Sequence, residues 1–212
     1  MDILQEISDN LQKGQVSKVG ILVKQALEDK IDVKTILGSL IEGMGVVGRR
    51  FRDGEIYVPE VLIAARAMYA GLDLIRPLLV QTGATYIGKV VIGTVKGDLH
   101  DIGKNLVKMM MEGAGFEVID LGRDVSPEKF VEAVKANQPD IVGMSALITT
   151  TMVNMKDTIE ALKRANLRDK VIVMVGGAPV TERFAAEIGA DSYAKDADTA
   201  VAKAKALISN KR

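Results

Sequence analysis

From Met1 to about Gln81 the apolar residues recur at helical spacing: Ile3, Leu4, Ile7 and Leu11, then Val19, Leu22, Val23 and Ala26, then Ile36, Leu37, Leu40, Ile41, Met44 and Val47. No strand-like run interrupts them. Polar breaks at Lys13-Gly14, between Asp29 and Asp32, and at Arg52-Asp53-Gly54 divide this half into four segments. Pro59 suits the first turn of the last segment, which runs toward Leu79. Four short-linked amphipathic helices predict a small bundle.

Beyond Gln81 the pattern changes to short β-branched runs separated by amphipathic stretches: Val90-Val91-Ile92, Phe116 to Ile119, Ile141 to Met144, and Val171 to Val175. Near-continuous apolar strands fit a parallel sheet covered on both faces. Helices from about Ile102, Pro127, Thr151, Thr181 and Asp196 fill the gaps, and a weak fifth strand falls at Ser192-Tyr193-Ala194. The predicted fold is therefore α/β: a four-helix bundle over 1–84, then a doubly wound, mostly parallel, five-stranded Rossmann-like domain over 85–212.

Composition narrows the chemistry. A chain of 212 residues that is 48% apolar can build two separate cores. Its 28 basic and 28 acidic residues cancel, so no net field favours nucleic acid or an anionic membrane. There is no cysteine and only one histidine, His100, which excludes disulfides, thiolate catalysis and sulfur-ligated metal centres and leaves a conventional zinc site improbable. The first ten residues carry acids and no apolar core of a signal peptide, and no apolar run approaches the ~20 residues of a spanning helix. These features predict a cytoplasmic protein with no nucleic-acid or membrane partner.

In doubly wound sheets ligands bind beyond the carboxyl ends of the strands. The chemically distinctive residues fall there: Asp98-Leu-His-Asp-Ile-Gly103 after the first strand, Ser145-Ala-Leu147 after the third, and Gly176-Gly177 after the fourth. Each has a plain structural explanation when taken singly. Asp98 and Asp101 suit helix capping, His100 a polar loop, Ser145 a local backbone bond, and the paired glycines a turn. A phosphate loop does not fit, because Gly97 to Lys104 has one residue too many between its glycines and Asn105 stands where a Ser or Thr would hold magnesium. No Gly-x-Gly-x-x-Gly follows the first strand.

Taken in order, Asp98-x-His100-x-x-Gly103, Ser145-x-Leu147 and Gly176-Gly177 resemble the corrinoid-binding signature. Over both halves the chain is similar to the methyl-carrying corrinoid proteins of anaerobic methyltransferase systems of the methanol and methylamine type, themselves similar to the cobalamin-binding region of methionine synthase. The resemblance implies cobalamin or a related cobamide as cofactor, with methylcobamide as the carrier form. It makes His100 the lower axial ligand to cobalt, replacing the cofactor's own base, and joins it with Asp98 and Ser145 in a hydrogen-bonded relay. Asp101, Ile102 and Gly103 would flank the corrin, while Leu147, Thr149, Thr150, Gly176 and Gly177 would line the channel for the displaced nucleotide tail. The bundle becomes a cap, with Tyr57, Ala64, Ala67 and Met68 near the upper face of the corrin, although a place in the bundle core serves Met68 and its neighbours equally well. Such a cap has to move aside, and the Gln81 to Gly88 stretch, with Gly83 and Gly88, is the candidate hinge.

The function so implied is methyl carriage between a substrate-specific methyltransferase and a second methyltransferase acting on a tetrahydropterin such as tetrahydrofolate, with a reductive activase as a further partner. The carrier itself would not be a complete enzyme. Two other classes share the signature: the small subunit of an adenosylcobalamin-dependent mutase, which lacks such a helical cap, and a corrinoid-dependent sensor, which would carry a DNA-reading segment.

Overall fold

The computed structural model describes residues 2–81 and 86–211, which form a helical unit and an α/β unit. In the helical unit α1 (Ile3–Gln12), α2 (Val16–Glu28), α3 (Val33–Arg52) and α4 (Val58–Gln81) follow the four segments of the apolar pattern. Their ends are written into the side chains. Asp2 caps α1 by accepting from the Leu4 amide, and Asp32 caps α3 by accepting from the amides of Lys34 and Thr35. At the start of α4 the Tyr57 amide donates to Glu60, three residues on, which is half of a capping box. Helix α1 packs on α3, α2 on α4 and α3 on α4, burying Ile7, Leu11, Val23, Ile36, Leu40 and Val61.

In the α/β unit β1 (Lys89–Thr94), β2 (Glu117–Asp120), β3 (Ile141–Ser145), β4 (Ile172–Gly176) and β5 (Ser192–Ala194) form one parallel sheet in the order β2-β1-β3-β4-β5. The helices between them are α5 (Ile102–Gly113), α6 (Pro127–Asn137), α7 (Thr149–Met152), α8 (Asn154–Arg164) and α9 (Glu182–Ile188), and α10 (Ala197–Lys211) follows β5. The strand order reverses at β1, so the chain leaves β1 toward β2 on one side while β3 lies on the other. In-register pairing aligns Thr94, Ser145, Gly176 and Ala194 in one row at the carboxyl edge. One face of the sheet buries Val91, Val142, Val173 and Val175 with Phe130 of α6 and Met155, Ile159 and Leu162 of α8. No helix among the described residues is long and apolar enough to cross a membrane.

A buried ion pair fixes the first turn of α5. Lys104, whose side chain is 1% exposed, places Nζ 2.6 Å from Asp120 Oδ1 at the end of β2 and 2.7 Å from Asn105 Oδ1. Burial opposes the Asp120 charge, but the Lys104 hydrogen bond, the Gly122 amide and the field of Lys104 and Lys108 hold its carboxyl below the usual range. Lys104→Met should therefore lower unfolding free energy by about 2 kcal/mol, because it leaves a partly buried carboxylate short of its main partner. Urea titration measures this, and Asp120→Asn in the same chain should recover part of the loss.

Candidate functional site

The segment between β1 and α5 leaves the sheet at Val95, whose amide donates to the Ser145 carbonyl of β3 (3.0 Å). It turns at Gly97 and buries Asp98 completely. The two oxygens of Asp98 reach in different directions. Oδ1 accepts from the His100 amide at 3.0 Å and contacts His100 Nδ1 at 2.8 Å. Oδ2 accepts from the Leu147 amide at 2.8 Å and from Thr151 Oγ1 at 2.7 Å. Four donors therefore saturate a carboxylate that has no access to water.

Burial by itself would favour the neutral acid. The donors outweigh it: Thr151, the Leu147 amide and both groups of His100 hold the Asp98 carboxyl far below its ordinary 3.8. An ionised carboxylate only accepts, so the proton of the His100–Asp98 contact resides on Nδ1 and the lone pair on Nε2. The imidazole side chain is 54% exposed, and Nε2 has no partner among the described residues. Thr94 Oγ1, itself buried, donates to the His100 carbonyl at 3.0 Å and so fixes the main chain beneath the ring.

Exposed aliphatic side chains flank His100 along the chain and follow β3. Leu99, Ile102, Leu147 and Ile148 are 61, 75, 44 and 42% exposed. Large aliphatic side chains held in water beside a free imidazole nitrogen fit a broad, flat, partly apolar ligand with a metal at its centre. No three His, Asp or Glu side chains converge as metal ligands among the described residues. A metal held at His100 would thus bring its remaining ligands with it.

The structure distributes the sequence-predicted residues unevenly. Asp98 and His100 meet as expected, whereas the hydroxyl on Asp98 belongs to Thr151 rather than Ser145. Ser145 ends β3 with its carbonyl engaged by Val95, and its side chain has no hydrogen bond among the described residues. Leu147, Thr149 and Thr150 are exposed beyond β3, and Asp101, Ile102 and Gly103 open α5, with clear space where a Gly103 side chain would begin. Gly176 and Gly177 have a reason within the fold. A Cβ on Gly176 would lie 2.8 Å from the Ala194 carbonyl oxygen, and one on Gly177 (φ +128°) would overlap the Ala146 carbonyl. In the helical unit Tyr57 is 69% exposed, while Ala64, Ala67 and Met68 are buried, the position expected of core residues. Residues 82–85 of the candidate hinge lie outside the described residues.

The parallel sheet thus presents an imidazole, steered by a buried aspartate, at its switch point. Comparison with known proteins shows the family. The B12 binding domain family matches residues 88–202, and a second family of the same description matches residues 3–76. Dimethylamine corrinoid protein 2 of Methanosarcina acetivorans is 44% identical over 211 residues, covering 99% of this chain and 98% of that protein. A corrinoid protein of Desulfitobacterium hafniense is 42% identical over 212 residues, covering 98% of each. Among solved structures, a chain of the methanol:cobalamin methyltransferase complex MtaBC of Methanosarcina barkeri superposes with a TM-score of 0.88 at 32% identity, covering 98% of this chain and 80% of that one. A cobalamin-binding protein of Desulfitobacterium hafniense gives 0.78 at 31% identity and 98% coverage of both. The chain belongs to the B12-binding family of corrinoid proteins, and its cofactor is a cobamide.

The Asp98 network makes an acid-stability prediction. Because Asp98 ionises more readily folded than unfolded, its contribution is complete above its ordinary 3.8 and is lost as pH falls from there toward the lower folded value. Unfolding free energy should fall below about pH 4 less steeply in Asp98→Asn than in the wild type. Thr151→Val should cost about 2 kcal/mol at neutral pH, the usual worth of a hydrogen bond to a charged group. Denaturant melts across a pH series check both.

Proposed function

We propose that this chain is a methyl carrier in a cobamide-dependent methyltransferase system, with His100 Nε2 as the protein's ligand to cobalt in place of the cofactor's own base. The observation that carries the reading is the His100 ring itself: Nδ1 bound to a buried, fully ionised Asp98, and Nε2 free among exposed aliphatic side chains. The bound cobamide supplies a cobalt centre that accepts and releases a methyl group. Asp98 orients the imidazole through Nδ1, and Thr151 with the Leu147 amide keeps that carboxylate in place. Leu99, Ile102 and Leu147 cover apolar parts of the ligand and keep water from the Nε2 side.

Leu147, Thr149, Thr150 and the Gly176-Gly177 edge are assigned to the displaced nucleotide tail, and Asp101 and Gly103 to the near side of the corrin. Ser145, paired in register with Gly176 on the neighbouring strand, is assigned to the same tail rather than to Asp98. By resemblance Tyr57, Ala64 and Met68 are assigned to the upper face of the corrin; within the helical unit Tyr57 is exposed and Ala64 and Met68 are buried.

Relatives at this level of identity are named for dimethylamine, and the similar MtaBC complex for methanol, so the methyl donor belongs to that range of small methylated compounds and is selected by a separate methyltransferase. A second methyltransferase passes the group to a tetrahydropterin, and a reductive activase restores cobalt after accidental oxidation. All three act in the cytoplasm. Activation of donor and acceptor is left to these partners, since the titratable groups at the site serve to hold and orient His100.

Reconstitution with a cobamide carrying its own nucleotide base tests the reading. Wild type should give an absorption spectrum with the cofactor's base displaced by imidazole, and His100→Ala one in which that base or water remains on cobalt. Identical spectra, with the cofactor's base still bound in both, would overturn the assignment.

A further inference from the structure

The β2–α6 loop carries a residue that the histidine ligation does not account for. Asp124 adopts a left-handed conformation (φ +54°), uncommon for any residue but glycine and tolerated best by Asp and Asn. Its two hydrogen bonds run to consecutive residues of the histidine loop. The Asp124 carboxylate accepts from the Gly97 amide at 2.7 Å, and the Asp124 amide donates to the Asp98 carbonyl at 3.0 Å. The loop is thus gripped on both sides of the Gly97–Asp98 peptide bond.

Neighbouring contacts make that grip directional. The Val125 amide donates to the Thr94 carbonyl at 2.9 Å, and the Thr94 amide donates to the Gly122 carbonyl at 3.0 Å, so the β2–α6 loop is bound to the end of β1. On the opposite side Asp98 is held through its side chain by Leu147 and Thr151. Asp98 therefore has its main chain fixed from the β2 side and its carboxylate from the β3 side. Among the described residues, the hydrogen bonds that place His100 come from Asp98 and Thr94.

We propose that Asp124 is a positioning residue for the cobalt-ligating histidine, holding the Gly97–Asp98 turn so that Asp98 presents the His100 ring before any cofactor arrives. This rests on the assignment of His100 as ligand. Its consequence is preorganisation: the loop need not order itself when the ligand binds, so the ligated state is not weakened by that entropy.

Two substitutions separate conformation from hydrogen bonding. Asp124→Asn keeps an acceptor oxygen and tolerates the left-handed backbone, while Asp124→Gly keeps the backbone and removes the acceptor. In the cofactor-free proteins, amide hydrogen exchange should accelerate roughly fivefold at both Gly97 and His100 in Asp124→Gly, the effect of losing one partly exposed hydrogen bond. Amides of β4 should keep wild-type rates, and Asp124→Asn should stay near wild type throughout. After cobamide reconstitution, Asp124→Gly should show a larger share of the spectrum without imidazole ligation, and Asp124→Asn should restore it.

Exchange that rises at Gly97 but not at His100, or that rises uniformly through the domain, would overturn the proposal. Loss in Asp124→Asn equal to that in Asp124→Gly would do the same. Because exchange is read without cofactor, it tests the clamp even if wild-type reconstitution shows that His100 is not the ligand.

Discussion

The geometry of the site depends on one buried charge. Beyond the last pairing of β1 with β3, at the reversal of strand order, the buried Asp98 carboxylate ties the segment after β1 to the segment after β3. A neutral side chain there would bind one loop or the other. A carboxylate has acceptor sites for four donors, and here the donors come in equal pairs from the two loops: an amide and an imidazole from one, an amide and a hydroxyl from the other. A carboxylate buried without them would not stay ionised, and the imidazole would lose both its tautomer and its orientation.

The sheet makes this placement possible and also limits it. In-register strands set Thr94 and Ser145 side by side, so the two loops begin at the same height and can share one acceptor. Thr94 then holds the His100 carbonyl from below. On the far side, Gly177 allows the chain to pass the Ala146 carbonyl at a distance no side chain permits, which keeps the segment after β4 close against the one after β3. Gly177, like Gly176 beside the Ala194 carbonyl, is required by backbone crowding in the protein alone. The exposed Leu99 and Ile102 are different, since nothing in the packing of the α/β unit calls for them in water.

Sequence reading reached the periodic features readily. Helices and strands lie within a few residues of their expected places because burial imposes a period, and the Asp-x-His spacing survives because its contact is local, between residues two apart. Long-range side-chain contacts were less legible. Thr149, Thr150 and Thr151 are chemically identical neighbours, and only the phase of the short helix α7 decides that the third is buried against Asp98 while the first two face water. The family resemblance named Ser145 as the hydroxyl of the relay, yet among the described residues its hydroxyl makes no hydrogen bond to Asp98. Asp124 carried no signal at all, because a left-handed Asp in a loop becomes visible only through the backbone groups it meets across the fold.

The same network dictates where a proton can rest. Four donors favour the anion of Asp98 so strongly that at neutral pH the carboxylate stays charged whatever happens at the exposed ring. Thr151 has one hydroxyl proton, and the anionic oxygen at 2.7 Å outcompetes the Ile148 carbonyl at 3.0 Å for it. Nε2 of His100 is left without a partner among the described residues, and in the reading proposed above its lone pair is the one offered to cobalt. Asp98 and Thr151 fix the geometry and the charge behind that lone pair.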